Sequence, residues 1–267
     1  RNRGMKRLDH YSIFMENNNR YLEACGAGER AGLYYTCVNS YLTAGELAYI
    51  LTNSQSRILI TSKLKLDIAR EALKECPQVE LCIVVDGDSE SDRIVGLREA
   101  TAGLPATPIA DEYAGTAMLY SSGTTGRPKA AVLTHGQMAF VVTNHLCDLM
   151  PGTTEQDASL VVAPLSHGAG IHQLVQVARA AKTVLPASER LDVEQAWAMV
   201  ERWRITNMFT VPTILKMLAE HPSVDRYDHS SLRYVIYAGA PMYRADQKRA
   251  LERLGPCLVQ YFGLGEV

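Results

Sequence analysis

One short segment of the chain concentrates hydroxyl groups, glycines and a lysine. Residues 120–130 read YSSGTTGRPKA and lie between the apolar runs TAMLY and AAVLT. The glycines leave backbone amides accessible, and four hydroxyl groups add further donors, those of Ser121, Ser122, Thr124 and Thr125. Lys129 adds a positive charge. Because many donors, little bulk and one cation suit a polyphosphate, the segment predicts a phosphate-binding loop.

Two other interpretations of this segment can be weighed. A P-loop of the Walker type requires glycine at position 128 and serine or threonine at position 130, where this chain has Pro128 and Ala130. The residues that follow also read as a strand rather than a helix, so the P-loop interpretation fails. A flexible polar turn remains the simpler alternative, but it does not account for the Pro-Lys pair that follows the glycines and hydroxyl residues.

Three further segments agree with the loop in order and spacing. They are APLSHGAG at residues 163–170, YAGAP at residues 237–241 and QYFGLGE at residues 260–266. With the loop, these motifs resemble the signature of the adenylate-forming superfamily, which includes acyl-CoA synthetases, peptide-synthetase adenylation domains and luciferases. Residues 13–32 and 42–51 are also similar to the early helices of fatty-acyl-CoA synthetases, so the resemblance covers essentially the whole chain.

The resemblance implies a role for each matching residue. The phosphate loop comprises Ser121, Ser122, Gly123, Thr124, Thr125, Gly126 and Lys129. The adenine pocket is lined by Gly239, Ala240, Pro241, Phe262 and Gly263, with the Phe262 ring available for stacking. His167 borders the acyl pocket, and Glu266 supplies the carboxylate that Mg²⁺ prefers. The residues expected to act in catalysis are Thr125, Lys129 and Glu266.

The reaction that the resemblance implies uses ATP, Mg²⁺ and coenzyme A. A carboxylic acid is ionised near pH 7, so it attacks the α-phosphorus of ATP without a general base. The protein has to offset charge repulsion and align the reacting groups. We expect a fatty or other hydrophobic acid as substrate. The alternatives are a truncated, non-catalytic nucleotide- or acyl-binding protein and an adenylation domain that loads a carrier protein. A serine hydrolase is disfavoured because no G-x-S-x-G motif occurs.

The chain departs from the family pattern at two positions and in its length. Ala130 replaces the usual glycine after the lysine, and Gly265 replaces the usual threonine beside Glu266. Family members continue to a ribose-binding aspartate, a hinge and a small mobile domain that carries a lysine for adenylation. We therefore interpret these 267 residues as part of the large N-terminal domain, without its first strand or two and without the C-terminal lid domain. Alone, this part is expected to be inactive.

Short apolar runs alternate with helical patterns, which predicts an α/β fold of layered, largely parallel β-sheets flanked by helices. The predicted strands are residues 11–15, 33–38, 57–61, 81–85, 116–121, 130–134, 160–163, 183–185, 207–211, 234–237 and 258–261. Thr43 and Glu46 form a capping box, Asp192 precedes an apolar stripe, and residues 244–254 read as a surface helix. The polar stretch 86–113 reads as an excursion between two α/β halves, residues 1–112 and 113–267.

Composition limits the remaining classes of protein. The net charge of −2 argues against a nucleic-acid-binding protein. No apolar run is long enough for a transmembrane segment, and the start of the chain lacks the apolar core of a signal peptide. The six cysteines show no C-x-x-C spacing and are expected to be reduced. We expect a cytoplasmic enzyme, as a homodimer, whose small-molecule partners are the acid, ATP and CoA.

Overall fold

Strands and helices alternate through the part of the chain that the computed structural model describes, residues 3–121 and 128–263. This part falls into two units, divided between His135 and Gly136. Two strands after residue 112, Thr116–Ser121 and Lys129–Val132, still pair with the first sheet, so this division lies later than the boundary between the predicted halves 1–112 and 113–267. That pair of domains stays a prediction for the whole protein.

The first unit is built around a sheet of seven described strands. They are β1 (His10–Phe14), β2 (Tyr34–Cys37), β3 (Ser56–Thr61), β4 (Leu81–Val84), β5 (Ile94–Gly96), β6 (Thr116–Ser121) and β7 (Lys129–Val132). Their order across the sheet is β5-β4-β3-β1-β2-β6-β7. The β6–β7 pair is antiparallel, whereas the other described pairs of this sheet are parallel.

Helices cover both faces of the first sheet. They are α1 (Tyr21–Ala31), α2 (Ala44–Asn53), α3 (Leu66–Leu73) and the short α4 (Leu97–Ala100). In β1, the Tyr11 hydroxyl donates to the carbonyl of Ala24 in α1. Phe14 lies in a buried cluster with Leu47 of α2 and Leu73 of α3. Successive strand residues thus face different helices, which explains why the strands read as continuous apolar runs.

The second unit contains a sheet of five described, parallel strands. They are β8 (Ala158–Val161), β9 (Lys182–Val184), β10 (Asn207–Thr210), β11 (Tyr234–Tyr237) and β12 (Leu258–Gln260), in the order β12-β11-β10-β8-β9. The helices are α5 (His135–Asn144), α6 (Gly168–Ala178), α7 (Val193–Trp203), α8 (Pro212–Glu220) and α9 (Arg244–Leu254).

The second sheet is also packed on both faces. Met208 of β10 lies in a buried cluster with Trp197 of α7, whereas the next residue, Phe209, lies in another cluster with Ala169 and Val175 of α6. The predicted stripe on α7 is buried, and Asp192 caps that helix by accepting from the backbone N–H of Gln195. These contacts confirm the predicted α/β architecture.

The predicted strands all occur, with ends that shift by a few residues, but β5 was not predicted. It lies inside the polar stretch 86–113, which we expected to be an excursion. Its three residues pair with β4, and this tertiary contact rather than local sequence makes them a strand. No helix in the described ranges is both long and apolar enough to cross a membrane.

Candidate functional site

Helix α2 contacts the residues on both sides of the predicted phosphate loop. Its start is fixed by the capping box, in which Glu46 N–H donates to Thr43 Oγ1 over 3.4 Å and Thr43 N–H donates to Glu46 Oε2 over 2.8 Å. The bond from the Thr43 backbone lowers the pKa of Glu46, so its carboxylate stays an acceptor at neutral pH. Because residues four apart share a helix face, Tyr49 and Asn53 point the same way.

Tyr49 and Asn53 hold the two arms of the β6–β7 hairpin. The hydroxyl of Tyr120, one residue before the end of β6, donates to Asn53 Oδ1 over 2.7 Å. Burial raises the pKa of Tyr120 to about 12, so this donor keeps its proton. On the other arm, the hydroxyl of Tyr49 donates to the carbonyl of Pro128 over 3.1 Å. One capped helix therefore fixes both the entry to the loop and the exit from it.

The ends of the predicted phosphate loop are neighbours in the sheet. Ser121 closes β6 and pairs in register with Lys129, which opens β7. Lys129 is exposed, so its ammonium group is accessible. Ala130 lies in β7 with an exposed side chain, so the methyl group that replaces the usual glycine hydrogen has room there. The predicted loop residues Ser122, Gly123, Thr124, Thr125 and Gly126 lie outside the described residues.

In the second unit, His167 stands at the N-cap of α6. Its side chain is exposed, and Ser166 Oγ lies 2.8 Å from His167 Nδ1. Loss of hydration around the ring lowers the pKa of His167, so the imidazole is neutral near pH 7. If the hydroxyl donates to Nδ1, the ring proton resides on Nε2.

Tight backbone packing fixes the turn that carries His167. The N–H of Gly170 donates to the carbonyl of His167 over 2.8 Å, and the N–H of His167 donates to the carbonyl of Pro164 over 3.1 Å. A Cβ atom on Gly170 would lie 2.1 Å from the carbonyl oxygen of Leu165, closer than any side chain can approach. Glycine is therefore required at position 170, and the close packing around it leaves little freedom for the turn.

A second turn follows β11. Tyr237 ends the strand and is buried, whereas Gly239, Ala240 and Pro241 are exposed. Gly239 has a φ of +85°, a conformation that other residues rarely adopt. The strand thus ends in three small, accessible residues that leave room for a flat group against the backbone.

The segment after β12 presents one aromatic ring to solvent and buries another. Phe262 is 84% exposed, and Gly263 beside it is also exposed. The ring of Tyr261 lies against His145, with centroids 5.4 Å apart, and near Phe209 at 6.4 Å. Tyr261 anchors the segment in this way and leaves the Phe262 ring exposed, and its stacking on adenine stays a prediction.

These three segments lie along one edge of the second sheet. Because its described strands are parallel, their carboxyl ends share an edge, and each segment follows such an end. The segment with His167 follows β8, the turn at Gly239 follows β11, and Phe262 follows β12. Only β10 separates β8 from β11, which corresponds to about 10 Å across the sheet. The structure therefore brings the predicted adenine and acyl-pocket residues to the same edge.

The predicted magnesium ligand, Glu266, lies outside the described residues. Within the ranges that are described, no group of three or more His, Cys, Asp or Glu side chains is arranged to hold a metal ion. The described residues thus supply no magnesium site by themselves, and a role for Glu266 stays a prediction.

Sequence reasoning did not find the residues that position the site. Tyr49 lies in the segment 42–51 that resembles an early helix and Asn53 lies just after it, but their hydrogen bonds reach residues 79 and 67 positions away along the chain. Ser166 lies within the motif at residues 163–170, but the motif assigns no role to it. Its position beside His167 was the available signal, although adjacency alone does not show that a hydroxyl faces a ring nitrogen.

Comparison with known proteins gives consistent matches along the chain. A family model described as AMP-binding enzyme matches residues 1–267. A feruloyl-CoA synthase of Amycolatopsis sp is 30% identical over 269 residues, covering 98% of this chain and 50% of that protein. The 4-coumarate--CoA ligase CCL1 of Humulus lupulus is 26% identical over 270 residues, covering 98% and 49%.

A solved structure agrees with these matches. The amide bond synthetase McbA from Marinactinospora thermotolerans superposes with a TM-score of 0.86 at 26% identity, covering 97% of this chain and 51% of that one. This chain spans about half the length of the proteins that it matches.

Proposed function

The chain belongs to the AMP-binding enzymes of the adenylate-forming superfamily, and from this premise we propose that the whole protein activates a hydrophobic carboxylic acid with ATP and transfers the acyl group to coenzyme A. The observation that carries the proposal is the β6–β7 hairpin, in which Ser121 and the exposed Lys129 are paired at the ends of the hydroxyl-rich loop. The feruloyl and 4-coumarate relatives support CoA as the acyl acceptor.

The first half of the proposed reaction forms an acyl-adenylate. A carboxylate oxygen of the acid bonds to the α-phosphorus of ATP, and pyrophosphate leaves. Two anions have to approach each other, so the main task is to offset negative charge and hold the groups in line. Lys129 is suited to this task because its charge lies next to the loop and is not buried in an ion pair.

In the second half, the thiolate of CoA attacks the acyl carbon, AMP leaves with the electron pair of the broken bond, and the thiol proton passes to solvent. We propose that Gly239, Ala240 and Pro241 border the adenine, that Phe262 stacks on it and that His167 borders the acyl group. Their common edge on the second sheet supports this assignment.

We propose Mg²⁺ as the metal ion of the whole enzyme, with Glu266 as its protein ligand. Mg²⁺ would draw charge from the phosphate oxygens when bound. The predicted cytoplasmic location and the homodimer remain predictions.

The proposed function has a direct test in the whole protein. We expect pyrophosphate to be released only when ATP, Mg²⁺ and a carboxylic acid are all present, and an acyl-CoA to form when CoA is added. A substrate panel should compare fatty acids with ferulate and 4-coumarate, because relatives are named for the latter two. Pyrophosphate release that did not depend on an acid would contradict adenylation. Adenylate formation without a CoA thioester would instead indicate another acceptor, such as a carrier protein.

Ser166 gives a second test, directed at the acyl pocket. Replacing it with alanine removes the hydroxyl that lies 2.8 Å from His167 Nδ1. A hydrogen bond of this kind contributes about 1 kcal/mol, so the KM for the acid should rise about fivefold with little change in kcat. Steady-state kinetics of acid-dependent pyrophosphate release would measure this change.

The matched control is Ser166→Thr, which keeps a hydroxyl at this position. We expect its KM to return close to that of the unmodified protein. If alanine and threonine raised KM equally, bulk rather than hydrogen bonding would explain the effect, and the proposed role of Ser166 would be wrong.

A further inference from the structure

Two cysteine thiols lie close together in the first unit, and neither belongs to the residues of the proposed reaction. Cys25 is in the middle of α1, and Cys37 is the last residue of β2. Their Sγ atoms are 3.7 Å apart, and both residues are half-buried. The two thiols are therefore in contact but not bonded, and the residues that carry them are partly exposed.

The surroundings of the two thiols make them chemically different. The contact with the Cys25 thiol lowers the pKa of Cys37, and the nearby Tyr21 hydroxyl acts in the same direction. The same contact raises the pKa of Cys25, and burial acts in the same direction. Cys37 is therefore the thiol of the pair that loses its proton more readily, and Cys25 stays protonated at neutral pH.

A third cysteine, Cys82, provides a comparison for the reactivity of the pair. Cys82 is fully buried in β4, and burial raises its pKa to about 12. A thiol of this kind is nearly inert, because the thiolate is the reactive form. Cys147 is exposed on the surface of the second unit and serves as a reference for simple accessibility.

We propose that Cys25 and Cys37 are a site of reversible oxidative modification, at which a peroxide converts the two thiols into a disulfide that joins α1 to β2. The sulfur atoms have to approach from 3.7 Å to about 2 Å. Side-chain rotation can provide part of that movement, because each sulfur turns about its own Cα–Cβ bond. The site does not depend on the proposed ligase function.

The chemistry balances with hydrogen peroxide as the two-electron oxidant. Cys37 loses its proton, and the thiolate attacks one peroxide oxygen, which forms a sulfenic acid and releases hydroxide. The Cys25 sulfur then attacks the Cys37 sulfur, the S–O bond breaks, and the leaving hydroxide takes up the Cys25 proton as water. Two thiols and one peroxide give one disulfide and two waters, and a dithiol reductant reverses the result.

Tryptic mapping tests the proposal on the whole protein. Cleavage after Arg20, Arg30 and Arg57 places Cys25 in residues 21–30 and Cys37 in residues 31–57, with no other cysteine in either peptide. After peroxide treatment and alkylation of the remaining thiols, we expect these peptides to be linked, with a mass two hydrogens below their sum. The linked species should disappear on reduction.

Single variants assign the roles of the two sulfurs. In Cys25→Ser the linked species should be lost, and a sulfenic acid should be trapped on Cys37 by a dimedone-type reagent. In Cys37→Ser the link should also be lost. Cys25 of this variant should be oxidised at least tenfold more slowly than Cys37 is in Cys25→Ser. Cys147→Ser should leave the link unchanged.

The wild-type map decides the question even if a variant folds poorly. Oxidation of Cys147 without a link between residues 21–30 and 31–57 would overturn the proposal. A disulfide that joined two chains, or one that used another cysteine, would overturn it as well.

Discussion

Replacing Lys129 with alanine should lower acid-dependent pyrophosphate release by the whole protein about 100-fold, the size of loss seen when one preorganised charge or donor is removed from a developing anion. The side chain is exposed at the start of β7, and its register with Ser121 places it at the end of the hydroxyl-rich loop. Hydrogen bonds from Tyr49 and Tyr120 fix the two arms of the hairpin, so the backbone should not move. The loss should therefore appear in kcat/KM for ATP, without a change in thermal stability.

Two variants separate this effect from a general loss of charge. Lys248→Ala removes a lysine that is paired with Glu252 on the surface of α9, and we expect its activity to be normal. Lys129→Arg keeps the charge in a different shape and should recover part of the rate. If Lys129→Ala stayed within threefold of the unmodified protein, Lys129 would have no role in offsetting phosphate charge.

Replacing Trp197 with alanine should destabilise the second unit by about 4 kcal/mol, a typical cost for emptying the site of a buried aromatic side chain. Trp197 has no exposed surface and lies in a cluster with Leu160, Met208 and Val235. Its indole N–H also donates to the carbonyl of Leu218 over 3.1 Å, and the substitution would leave that carbonyl without this donor. Hydrogen exchange of peptides from α7 and β10 would measure the change within this unit alone.

The matched control is Trp203→Ala in the same helix. Trp203 ends α7, is 41% exposed and lies near the charged groups of Lys182 and Arg202. Removing an exposed ring of this kind should cost less than about 1 kcal/mol. Equal losses from the two substitutions would show that burial of Trp197 does not explain its effect.

The strands of this fold could be predicted because both faces of each sheet are covered. Met208 and Phe209 are adjacent in sequence and enter different clusters, so neighbouring residues of β10 are both apolar. Strand β5 escaped prediction because its three residues are held by pairing with β4, and the polar residues around it gave the opposite signal.

The residues of the candidate site could be predicted from the sequence, but the residues that hold them in position could not. Motifs selected Ser121, Lys129, His167 and Phe262 because unusual residue types follow apolar strands. The contact of Tyr49 with Pro128 depends on how α2 lies against the sheet. Such contacts join residues far apart in sequence, and no local pattern encodes them.

The order of strands in the first sheet has a consequence for synthesis on the ribosome. Strand β1 lies in the middle, with β2 on one side and β3, β4 and β5 extending from the other. The outer edge of β2 has no partner within this sheet until β6 has emerged, after β3, β4 and β5 have already been made. Unpaired strand edges attract other chains. A nascent chain that stalls before β6 should therefore expose the edge of β2 to other chains, and the β6–β7 hairpin covers that edge once it has formed.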